Sequence, residues 1–104
     1  MSWIVLVVSG GLEAVWATAL GRSEGLSRPG PSLVFAVALV ASMVGLAYAM
    51  RELPTGTAYA VWVGIGASLT AAWAMAAGQE PVTIARVLCL LLIVAGVVGL
   101  KLAE

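Results

Sequence analysis

The 104-residue sequence predicts an all-α integral membrane protein, a bundle of four transmembrane helices joined by short hairpin loops. Three observations carry that expectation. Hydrophobic residues make up 62% of the chain without counting its glycines, against roughly 45–50% in a soluble domain with glycine counted. Charged residues are 10%, against roughly 25%, too few to cover the surface of a water-soluble globule. The apolar residues also fall in four runs, each near the about 20 residues that cross a bilayer as a helix.

The first span covers residues 3–20, Trp3 to Leu20, and is apolar except for Glu13. It has no basic leader and Glu13 interrupts its centre, so it is expected to be a retained span rather than a cleaved signal peptide. Arg22, Glu24, Arg28, Pro29, Gly30 and Pro31 then form a polar, helix-breaking stretch. The second span, residues 33–50, has the hydroxyl of Ser42 near its middle and is closed by Arg51, Glu52 and Pro54. The third, residues 57–77, contains Tyr59, Trp62 and Trp73, and ends at Gly78, Gln79, Glu80 and Pro81. The fourth, residues 84–102, has Arg86 near its start and Lys101 at its end. Continuous apolar runs, rather than alternating ones, argue against a β-barrel. The spans and loops use up the chain as one domain, residues 1–104.

Composition excludes several kinds of function. Lys+Arg 5 balance Asp+Glu 5, so no basic field is available to hold nucleic acid. With no His and only Cys89, a His/Cys metal site, a disulfide and a Cys–His nucleophile pair are all ruled out. In a four-span topology Arg51 and Lys101 lie on one side of the membrane and Arg22, Arg28 and Arg86 on the other. So even a balance leaves two readings: one orientation set by the extra arginine, or insertion both ways, with two copies pairing antiparallel.

The chemistry centres on Glu13, the one acid at mid-depth in any span. A charge there costs on the order of 3 kcal/mol on insertion scales. A bare carboxylate is disfavoured in low dielectric, so the group holds either a proton or a cation, and the two compete. Two facing copies would titrate as a unit. That is the minimal physics of a proton/cation antiporter, with a hydrogen-bonded structural acid as the alternative. Gly10 and Trp16 share the Glu13 stripe at three-residue spacing, the glycine leaving space and the indole forming a wall and π-face for a cation. Ser42 can orient a carboxylate or bond its own helix backbone. Tyr59, Trp62 and Gly66 share a face of the third span, where the rings can line a pocket, with the Tyr59 phenol donating to Glu13, or anchor the interface. Gly64 and Gly66 are candidates for a hinge or for close packing. Ala95, Gly99 and Ala103, with Gly96 beside them, form a small-residue row suited to a subunit contact or to packing within the chain. Four short helices cannot easily surround a mid-membrane site, so an oligomer is expected.

The run from Gly10 to Ala17, the run from Pro54 to Gly66 and the ending Gly96 to Lys101 resemble the small multidrug resistance family along essentially the whole chain. Trp16 three residues after Glu13, and the string Gly56-Thr57-Ala58-Tyr59, resemble its guanidinium-exporter branch. The resemblance implies an antiparallel, dual-topology homodimer in the bacterial inner membrane, exporting guanidinium cations in exchange for protons and needing no other cofactor. It implies Glu13, Ser42, Trp16, Tyr59, Trp62 and Gly10 as binding-site residues, a bend at Gly64 and Gly66, and a dimer contact through Ala95, Gly96 and Gly99. The chain departs from the branch at Arg22, at Val63, where a hydroxyl is usual, and at Trp73. Alternatives are a promiscuous exporter of quaternary ammonium cations, one half of a heteromeric pair, or a membrane scaffold without transport. Guanidinium itself is planar and permanently charged, and its N–H groups match carboxylates in bidentate fashion.

Overall fold

The computed structural model describes residues 1–103. They form four helices: α1 (Ser2–Arg22), α2 (Pro29–Ala49), α3 (Thr55–Ala76) and α4 (Ile84–Ala103). All four are long and apolar enough to cross a membrane.

The largest departure from the expected spans is the start of α2, at Pro29 rather than residue 33. Pro29, Gly30 and Pro31 read as helix breakers, yet they occupy the first turn, where amide protons have no intrahelical partner and a fixed φ is already helical. Arg28, before the proline, is extended at φ −93 and ψ 120, as the ring of a following proline requires. The α1–α2 loop carries Glu24, Gly25 and Leu26 in succession at φ 51, 73 and 70. Buried Ser23 holds this left-handed run, its hydroxyl donating to the Leu20 carbonyl (2.7 Å) and accepting the Leu26 amide (3.0 Å). Beyond α3, Gly78 takes φ 77, the left-handed turn that commonly ends a helix. The Thr83 hydroxyl accepts the Arg86 amide (3.1 Å) and caps α4.

Packing is centred on α1, which lies against both α2 and α3, while α2 and α3 barely meet. The core is Leu6, Leu46, Ala49, Ala58, Val61 and Trp62. The fourth helix packs on α3 and buries none of its residues; Lys101 Nζ also reaches over the Trp3 ring of α1 at 4.8 Å. The molecule is a slab of 40 × 34 × 17 Å. Packed helix axes lie about 8–10 Å apart, so the slab is about two helix layers thick.

Candidate functional site

Where α1 meets α3, glycines set the distance between the helices. A Cβ at Gly10 would lie 2.8 Å from Ile65 Cγ2, inside contact distance. At Gly66 it would collide with the Glu13 side chain. Glu13 therefore lies directly on the bare backbone of α3. Its Oε1 is buried and has no hydrogen-bond partner among the described residues. One turn further along α1, the buried Nε1 of Trp16 is also unpartnered. The site thus offers a free acceptor and a free donor on one stripe of one helix.

Ser42 does neither of the two things expected of it. It is fully buried, and its hydroxyl donates to the Ser9 carbonyl of α1 (2.7 Å) while accepting from Trp62 Nε1 of α3 (3.0 Å). The Ser9 carbonyl is also the one that α-helical geometry pairs with the Glu13 amide. One serine hydroxyl therefore ties three helices together at the helix turn that carries Glu13. Trp62 is 3% exposed, so it is a core residue rather than an interfacial anchor.

Tyr59 is 53% exposed, its ring 5.8 Å from that of Trp62 at 35°, and among the described residues its phenol makes no hydrogen bond to Glu13. Trp16 is braced by the edge of Phe35, centroids 5.9 Å apart at 72°. The structure thus brings Gly10, Glu13, Trp16, Ser42, Trp62 and Gly66 into one three-helix junction and leaves Tyr59 on its open side.

Both glycines of the expected bend lie at close approaches: Gly66 under Glu13, and Gly64 against Val97 and Ile93 of α4. The contact of α4 with α3 uses that Ile93/Val97 face. Ala95, Gly96 and Gly99 are exposed, and among the described residues nothing lies within 4 Å of a Cβ placed at either glycine, so these do not spend the small-residue row on packing.

Three contributors were not singled out from the sequence. Ser9 supplies the carbonyl for Ser42, while its own hydroxyl donates to Val5 O (2.7 Å). Gly45 admits the Ser9 hydroxyl, with which a Cβ would collide. Phe35, the chain's one phenylalanine, braces Trp16. A small polar residue immediately before Gly10, and a glycine three residues after Ser42, were the available signals.

Residues 1–93 match the family model described as Small Multidrug Resistance protein. The chain is 53% identical over 104 residues to a protein of Yersinia pseudotuberculosis named "Guanidinium exporter", with all of both chains covered. It is 50% identical over 104 residues, again covering both chains fully, to one of Proteus vulgaris with the same name. A third so named, from Salmonella typhimurium, is 50% identical over 103 residues, with 99% of this chain and 98% of that one covered. The four membrane-length helices, the mid-span carboxylate and this full-length similarity establish that the chain belongs to the small multidrug resistance family, as a multi-pass protein of the bacterial inner membrane.

Proposed function

We propose that the protein exports guanidinium-type cations across the inner membrane in exchange for protons, acting as a transporter rather than an enzyme. The observation that carries this reading is the Glu13 carboxyl at mid-span, with one oxygen buried and unpartnered against Gly66. A proton and a cation compete for that oxygen, and mutually exclusive occupancy couples their movements when the protein alternates between two openings. The relatives named guanidinium exporters, matching over their full length, support the substrate class. A planar guanidinium presents its N–H donors to carboxylate oxygens, and the Trp16 ring favours a weakly hydrated cation over a strongly hydrated sphere.

The reading includes an antiparallel homodimer. The exposed row Ala95, Gly96 and Gly99 on α4 offers a close-approach face for a second copy. Two arginine or lysine residues on one side against three on the other do not impose a single orientation. Both subunits would then contribute Glu13 and Trp16 to one chamber, with Ser42 holding the helices behind it, and Tyr59 would complete its open side. Gly64 and Gly66 would let α3 change its bend as the opening alternates.

The test is transport current on solid-supported membranes, with guanidinium and tetrapropylammonium compared. Guanidinium is expected to drive current and to release protons on binding, with weaker binding as pH falls because protons compete for the same oxygens. The Glu13→Gln protein is expected to show neither effect. Guanidinium current retained in that variant, or tetrapropylammonium outcompeting guanidinium, refutes the reading.

A further inference from the structure

Behind the Glu13 junction, α1 carries Ala14, Thr18 and Arg22 at four-residue spacing. At about 100° per residue these positions lie about 100° to 180° around the helix from Glu13, on the face turned away from it. With Val34 of α2 and Leu69 and Trp73 of α3 they line an open cleft of about 570 Å³. Glu13, Trp16, Ser42 and Trp62 take no part in its walls. The polar side-chain groups among the lining residues are the Thr18 hydroxyl, the Arg22 guanidinium and the Trp73 indole N–H. Arg22 is the last residue of α1, exposed at the membrane boundary, and among the described residues it forms no ion pair. Trp73 stands one turn before the end of α3, on the same side of the membrane, where an indole sits at headgroup level.

We propose that this cleft binds an anionic phospholipid of the surrounding bilayer. One acyl chain lies along Val34, Leu69 and Trp73, and the headgroup phosphate pairs with Arg22. Charge complementarity selects this occupant. An apolar channel ending in an unpaired guanidinium at headgroup level matches an apolar body with an anionic head, and guanidinium binds phosphate in bidentate fashion. A cationic substrate is repelled by Arg22 and has its carboxylate on the opposite face of α1.

The protein is reconstituted in nanodiscs of equal parts dioleoylphosphatidylglycerol and dioleoylphosphatidylcholine, and the lipids retained on release are counted by native mass spectrometry. The wild-type protein is expected to retain phosphatidylglycerol preferentially. Arg22→Gln is expected to lower that preference about five-fold, the effect of one basic residue near an anionic surface. Thr18→Phe fills the cleft without changing charge and is expected to lower retention of both lipids. Thr18→Leu makes the same test if the phenylalanine variant fails to show helical circular dichroism. Arg51→Gln, at the other membrane boundary, is expected to leave the preference unchanged. Wild-type preference in Arg22→Gln, undiminished retention in the Thr18 variant, or equal losses in Arg51→Gln overturns the proposal. A changed oligomeric state at constant lipid retention also overturns it, and assigns the cleft to a second copy of the chain.

Discussion

Replacing Gly66 with alanine is expected to weaken guanidinium binding about 5- to 150-fold while leaving α3 at least as helical. The new Cβ would lie 2.7 Å from Glu13 Cγ and closer still to the carboxyl carbon and Oε1. The carboxyl must therefore leave the position it holds, or α3 must withdraw. Withdrawal of α3 is opposed by α4, whose Val97 is pressed against Gly64. Overpacking of this kind costs about 1–3 kcal/mol. At about 1.4 kcal/mol for each tenfold in an equilibrium constant, that is the stated loss when the displacement falls on the binding oxygen. Helix propensity works in the opposite direction, since alanine is favoured over glycine by about 1 kcal/mol in a helix interior. The two effects separate in two measurements: guanidinium titration calorimetry, and helical circular dichroism against temperature. Gly11→Ala is the control, because nothing lies within 4 Å of a Cβ there. If Gly66→Ala binds guanidinium within two-fold of wild type, the carboxyl's place against α3 has no part in binding.

Two further predictions concern the supports of the site. Ser42→Ala removes the acceptor of a buried Trp62 Nε1 and the donor to Ser9, and is expected to destabilise the protein by roughly 1–2 kcal/mol in thermal unfolding in detergent; an unchanged midpoint would show that the three-helix link contributes nothing. Phe35→Ala frees the Trp16 indole from an edge-on contact worth about 0.5–1.5 kcal/mol, and the widened wall is expected to raise binding of phenylguanidinium relative to guanidinium several-fold in competition titrations; an unaltered ratio would separate Phe35 from selectivity.

Hydropathy and helix punctuation were legible in residue order because both act locally. An 18–22-residue apolar run has one stable form in a bilayer, since every backbone donor and acceptor must be satisfied within its own segment. Glu13 stood out for a related reason: a mid-span acid is costly wherever its helix faces. Pro29 and Pro31, helix breakers in an interior, begin α2 because the first turn needs none of their missing amide protons. The partners of individual side chains were a different matter. Residue order offers Ser42 a carboxylate to orient or its own helix backbone to bond, and the structure shows a third use that exists only because Ser9 and Trp62, 33 and 20 residues away in sequence, converge on it. Gly64 and Gly66 read as either a hinge or a contact, and both proved to stand at contacts, since Val97 and Glu13 approach them from other helices. Tyr59 and Trp62 share a helical face, yet one is exposed and the other buried, because Trp62 packs into the core beside Leu6 and Leu46 and bonds Ser42 of another helix. Backbone hydrogen bonding within each segment sets the helices one at a time, whereas the meeting of their faces depends on steric fit between residues far apart in the chain, which no local pattern encodes.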